Sequence, residues 1–262
     1  MTEWNASEYE RISALQAAMA QEALSLLHLT GTETVLDIGC GQGRITREIA
    51  ARVPQGRIVG VDASEKMIAF ARERDASSAQ PNLEFAIADG RQLNFHHEFD
   101  LVVSFNALHW IPEQALALHS IHTAIKSSGL AQLRLVPRSE RKSLEDTIEE
   151  SCLSSRWAKY FTSFRNPYLH LTPEEYAALA EQNRFRILRS HTADRNWDFQ
   201  SRASFAAFGS VTFVEWTQHL PEPARLDFIN DVLDRYQRIG CTRPGEENFF
   251  RFHQMDITLA PE

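Results

Sequence analysis

Apolar positions along the first half of the chain alternate between two rhythms. Short continuous runs such as Val35-Leu36, Ile58–Val61, Leu83–Ala88 and Phe99–Phe105 read as buried strands. Between them, Ile45, Ile49 and Val53, then Met67 and Ala71, then Leu118, Ile121 and Ile125 recur at helical spacing. Pro112 suits a first helical residue, and Ser127-Ser128-Gly129 reads as a turn into a fifth strand, Leu130–Val136. Strands alternating with helices predict a parallel sheet. Before the first strand, residues 6–29 read as an amphipathic helix through Leu15, Met19, Ala23 and Leu26.

After Pro137 the rhythm breaks. Residues 138–170 mix charges with Trp157, Tyr160, Phe161, Phe164 and Tyr168 and are expected to be helices of a cap. Thr172-Pro173-Glu174-Glu175 is a capping box that starts a helix. A strand at Phe185–His191 follows, then helices at Ser201–His219 and Ala224–Ile239, the latter with Leu226, Ile229, Leu233 and Tyr236 in register, and a last strand at Asn248–Leu259. The expected division is a core with its N-terminal helix over 1–137, a cap over 138–172, and 173–262 completing sheet and cap as one structural unit.

The first strand ends in Asp37 and enters three glycines, Gly39, Gly41 and Gly43, directly before a helix. Strand, glycine turn and helix make a nucleotide-sized crevice in a doubly wound sheet. A dinucleotide fingerprint places its third glycine three residues after the second, where a pyrophosphate sits. Here the interval is two. The stretch Asp37–Gly43 resembles motif I of the class I S-adenosylmethionine (SAM) methyltransferases. That resemblance implies a doubly wound, seven-stranded, mostly parallel Rossmann-like α/β sheet with a helical cap and an antiparallel last strand. SAM is then the cofactor and S-adenosylhomocysteine the product.

Acids end the second and third strands as well. Asp62 is placed to accept both ribose hydroxyls, a device that NAD sites share. Asp89, followed by Gly90, matches the family's acceptor for the adenine amino group, and Asp37 matches the motif I acid near the methionine arm. With these, Gly39, Cys40, Gly41, Ala63, Met67 (against adenine) and Asn106 are expected to hold the cofactor. Cys40 reads as a small buried side chain rather than a nucleophile.

After the fourth strand, Asn106-Ala107-Leu108-His109-Trp110 is similar to the trans-aconitate and juvenile hormone acid carboxyl methyltransferases, as is the opening W-N-A-S-E-Y-E-R-I-S-A-L-Q. The segment from Pro167-Tyr168 through Tyr176 is similar to the trans-aconitate group. Gln16 falls where the insect enzymes carry a carboxylate-holding glutamine. The trans-aconitate enzymes place arginine near this helix, so Gln16 favours a monocarboxylate on an apolar body. The Trp110 indole can only donate a hydrogen bond, which suits a carboxylate acceptor. Gln16, His109 and Trp110 are therefore the candidate catalytic residues. His109 as a general base would serve a phenol or amine instead. A SAM-binding regulatory protein without turnover and, more weakly, an NAD-dependent dehydrogenase also stay open.

Composition narrows the partners. With 262 residues, 43% hydrophobic and 24% charged, the chain can bury a full core. A net charge of −8 argues against a nucleic-acid partner and leaves a small-molecule substrate. No apolar stretch reaches the length of a membrane span, and the opening residues lack signal-peptide anatomy. Cys40, Cys152 and Cys241 have no disulfide pattern. A cytoplasmic setting is the expectation. His96-His97 and His119/His122 lack the partners of a metal site.

Overall fold

The computed structural model describes Leu15, residues 18–75 and residues 80–262. In chain order the elements are α1 (18–25), β1 (Thr34–Ile38), α2 (Arg44–Arg52), β2 (Arg57–Asp62), α3 (Glu65–Asp75), β3 (Leu83–Ile87) and β4 (Phe99–Phe105). A 3₁₀ turn at Leu108–Trp110 precedes α4 (Gln114–Ala124) and β5 (Ile125–Leu135). Then come α5 (Leu144–Cys152), a 3₁₀ turn (Ala158–Tyr160), α6 (Pro173–Gln182), β6 (Phe185–Asp198), α7 (Arg202–Thr212), α8 (Val214–Thr217), α9 (Glu222–Gly240) and β7 (Phe249–Pro261). The seven strands form one sheet in the order β3-β2-β1-β4-β5-β7-β6. Pairing is parallel from β3 through β5 and antiparallel between β5 and β7, as expected.

Two compact units share the chain. Of the described residues, one gathers those of 20–138, 168–193 and 254–262; the other gathers those up to 19 with 139–167 and 194–253. In the second unit, 194–253 groups with 139–167 because α9 packs on α5 and α7.

In the first unit, side chains of β1 alternate between the two faces of the sheet. Val35 packs with Leu24 of α1 and Ile49 and Ala50 of α2. Leu36 and Ile38 pack with Leu118 and Ile121 of α4 and Tyr176 and Ala180 of α6. Each fully buried leucine or isoleucine in these layers contributes about 1.5–3 kcal/mol. Thr172 caps α6 by accepting the Glu175 N–H at 3.2 Å, and the Glu175 carboxylate accepts the Thr172 N–H at 2.8 Å.

In the second unit, Trp157 and Phe161 pack against Phe228 of α9, and the Trp157 indole donates to Asp231 at 2.8 Å. Those two rings of the 157–168 stretch thus build the unit's own core.

Several boundaries differ from the sequence expectation. The first helix ends at residue 25, where tighter bonds from Leu26 N–H to Ala23 and from Leu27 N–H to Leu24 close the last turn. Helix α4 starts at Gln114, two residues after Pro112. Ser127–Gly129 lies inside β5 as a bulge: Phe99 pairs with Ile125 but Leu101 with Leu130. β6 runs seven residues past His191, to Asp198. Phe213 separates α7 from α8 where one helix was expected, and Leu226 on α9 is exposed rather than in the stripe.

Candidate functional site

Strand order reverses at β1, between β2 on one side and β4 on the other, and a crevice opens there at the carboxyl ends of the strands. Its volume is about 450 Å³, within the usual range for small-molecule sites. Gly39, Asp62, Ala63, Asp89, Gly90, Asn106 and Trp110 all line it, so most of the residues singled out by sequence converge.

The glycine turn is tied to β2. Gly39 and Cys40 N–H groups donate to the Val61 carbonyl at 2.8 and 3.0 Å, and the Gly41 N–H donates to Asp62 Oδ2 at 2.9 Å. Gly39 has φ +73° and lies under Ala107, so a side chain there would collide with that residue. Gly41, at φ +54°, faces open space, which lets a ligand approach the backbone.

Asp62 also accepts the Ser64 N–H on Oδ1 at 2.8 Å. A carboxylate offers about four acceptor positions, so two remain for ribose hydroxyls. Asp89 is more occupied. Arg91 forks onto it through Nε and Nη2, the latter at 2.6 Å, and its backbone N–H adds a bond at 2.9 Å. Those bonds hold the Asp89 carboxyl below the usual range. Arg91 continues to Glu113 at 3.0 Å. Sequence reading missed Arg91, along with Ile38, Ala88, Ala107, Leu108, Ile111 and Pro112 on the lining. The Asp-Gly turn announces the backbone bend at 89–91 but not the guanidinium fold-back.

Other singled-out residues lie off the lining. Asp37 is buried beneath the turn, where its Oδ2 accepts the Thr46 hydroxyl at 2.7 Å. Burial raises its carboxyl to about 6, with the Asp62 charge adding and the Thr46 bond opposing. Cys40 packs beside Ile68, Ala71 and Phe85, and burial pushes its thiol well above the ordinary range. Gly41 borders the crevice without lining it. Met67 is 40% exposed on α3 and is also off the lining. Gln16 lies outside the described residues.

The segment after β4 turns through Asn106, at φ +58°, whose N–H donates to the Arg134 carbonyl at 2.7 Å. Within the 3₁₀ turn that follows, Trp110 faces the crevice and meets Tyr168 edge to face at 6.1 Å. His109 lies on the opposite course. It is 4% exposed, and its Nδ1 accepts the Val136 N–H at 3.5 Å. Its carbonyl accepts the Leu169 N–H at 2.8 Å, and its ring lies 5.6 Å from that of His170. Desolvation, with the His170 ring adding, lowers its pKa to about 3, so the imidazole is neutral.

These groups fit SAM: acceptors at Asp62 and Asp89, a glycine turn open to close approach, and apolar walls from Ile38, Leu108 and Ile111. SAM carries no pyrophosphate, and the turn provides no extended anion cradle.

Comparisons agree. The methyltransferase-domain family pattern matches residues 35–129. Trans-aconitate 2-methyltransferase of Deinococcus radiodurans is 28% identical across 99% of both chains. Trans-aconitate 2-methyltransferases of other bacteria reach 30–38% identity over 135 residues, which spans about half of their length. Among solved structures, the YcgJ protein of Bacillus subtilis superposes with TM-score 0.68 at 15% identity, over 94% of this chain and 99% of that one. Phosphoethanolamine N-methyltransferase 2 of Haemonchus contortus, solved with SAM, gives 0.59 at 18% identity, over 92% and 53%. At those identities the two structures attest the fold. With a methyltransferase domain over residues 35–129, the chain is a SAM-dependent methyltransferase that resembles the class I enzymes, the trans-aconitate 2-methyltransferases among them.

Proposed function

We propose that this methyltransferase O-methylates the carboxylate of a small, partly apolar acid. When bound, SAM supplies a methyl group made electrophilic by a positively charged sulfur. The protein's task is to align an acceptor with that methyl in a site that excludes water.

One observation carries the reading. His109, next to the lining residues Leu108 and Trp110, is buried, neutral and off the crevice, with its Nδ1 turned to Val136. Both acids on the lining, Asp62 and Asp89, are engaged by N–H donors. A nucleophile that must lose a proton would find no poised base among these groups. A carboxylate, with an ordinary pKa of roughly 4, arrives already ionised at neutral pH.

Charge favours a monoacid. Arg91 is the one cation among the described lining residues, and Asp89 and Glu113 hold it. A polyacid would face Asp62 and Asp89 without a cation to offset its further charges. Trp110, on the crevice wall, supplies a ring for the apolar body and an indole N–H for a carboxylate oxygen. Gln16 is proposed as a second neutral donor. We place the activity in the cytoplasm; among the described residues no helix is long and apolar enough to cross a membrane.

The test is a panel of monocarboxylic acids, polycarboxylic acids, phenols and amines incubated with SAM, following S-adenosylhomocysteine and methyl ester together. Ester from a monocarboxylic acid, at a rate flat from pH 6 to 8, is the expected result. Turnover confined to phenols or amines, rising through neutrality, would sink the proposal.

A further inference from the structure

Gln254 sits on β7, two strands away from β4, yet its side chain reaches the crevice-lining residue Asn106: Nε2 donates to Asn106 Oδ1 at 3.1 Å. Gln254 is 1% exposed, and the next side chain on its own face of β7 is Asp256, paired with the buried Arg134 at 2.6 Å. A buried amide costs stability unless it is hydrogen-bonded, and the bond to Asn106 offsets that cost for Gln254.

The recipient is in an unfavourable conformation. Asn106 has φ +58°, a left-handed geometry that side-chain-bearing residues adopt at a cost, asparagine less than most. That turn is what brings Ala107 over Gly39, so that the exit of β4 and the glycine turn close against each other as two adjoining walls of the crevice. The Asn106 N–H, bonded to the Arg134 carbonyl, fixes one side of the residue, and Gln254 fixes the other.

We propose that Gln254 is a positioning residue for the cofactor crevice: it holds Asn106 left-handed, and through Asn106 it sets Ala107 against Gly39. It touches neither cofactor nor acceptor in this role. Nothing in the inference depends on which acceptor is methylated; it rests only on the crevice being the SAM site.

Calorimetric titration of S-adenosylhomocysteine into wild type, Q254L, N106G and Q254L/N106G tests it. Glycine takes φ +58° without penalty, so it needs no clamp. Q254L should weaken binding about tenfold in the wild-type background, since the left-handed Asn106 loses the donor that holds its side chain. The same substitution should change affinity less than about twofold in N106G. Wild-type affinity in Q254L, or an equal loss in both backgrounds, overturns the proposal. If Q254L does not fold by thermal melting, N106A removes the acceptor without touching β7. It should lose affinity that N106G recovers; wild-type binding by N106A, or no recovery in N106G, would be fatal. Because the readout is binding, a chain that shows this pattern yet esterifies no acid retires the acceptor reading alone.

Discussion

A β-carbon on residue 39 would lie 2.2 Å from the Cβ of Ala107, closer than two carbon atoms can pack. The glycine of the first turn and the alanine after the fourth strand therefore share one space, although 68 positions of sequence separate them.

Gly39→Ala should collapse SAM binding and lower stability by about 2–4 kcal/mol, combining the left-handed backbone cost with overpacking. In G39A/A107G only the overpacking part should return, because φ +73° still strains the alanine. Denaturant unfolding and S-adenosylhomocysteine titration of the three proteins check this. Full recovery in the double variant would mean that backbone strain contributes nothing.

Asp62→Ala should weaken SAM and S-adenosylhomocysteine by at least tenfold, because it removes the proposed ribose acceptor and unties Gly41 and Ser64 together. Asp62→Asn keeps one acceptor oxygen and should fall between the two. Calorimetry on all three decides it, and equal affinities would exclude Asp62 from the site.

Stability should carry the signature of Asp37. Its folded pKa of about 6 exceeds the ordinary 3.8, so the folded chain binds more protons than the unfolded chain between those values. The group's contribution is full below pH 4 and lost as pH rises through 6, a change of about 3 kcal/mol. Asp37→Asn should therefore gain stability relative to wild type at pH 8 but not at pH 4. Urea unfolding at the two pH values reads the difference directly.

His109 works in the opposite sense. Its folded pKa near 3 lies below the ordinary 6.5, so it stabilises the fold above pH 6.5, and that contribution is lost as pH falls toward 3. His109→Gln, which can still accept the Val136 N–H, should flatten this acid-side loss in unfolding measurements. The wild-type pH–rate profile with an acid acceptor should show no inflection at 6–7 that H109Q abolishes.

Trp110→Phe keeps the ring and deletes the indole N–H. We expect kcat/KM for the preferred acid to fall about tenfold while the dissociation constant for S-adenosylhomocysteine changes less than about twofold. Gln16→Ala should behave the same way. Equal loss of cofactor binding would place both side chains on the wrong ligand.

Much of this protein was legible before folding. Continuous apolar runs ending in glycine or acid mark β1, β2 and β4, because inner parallel strands are covered on both faces, whereas edge strand β3 exposes Glu84 and Ile87. The same pattern locates Gly39, Asp62, Asp89 and Asn106, since strand ends are where a doubly wound sheet opens. What tertiary structure alone decided are the relations between distant segments. His109 and Trp110 are adjacent in sequence, yet the 3₁₀ turn sends one into the core and the other to the crevice. Arg91 folds back on Asp89, and Gln254 reaches Asn106 across 148 positions. Periodicity reports which face of its own element a residue occupies; it holds no record of what another element brings to meet it.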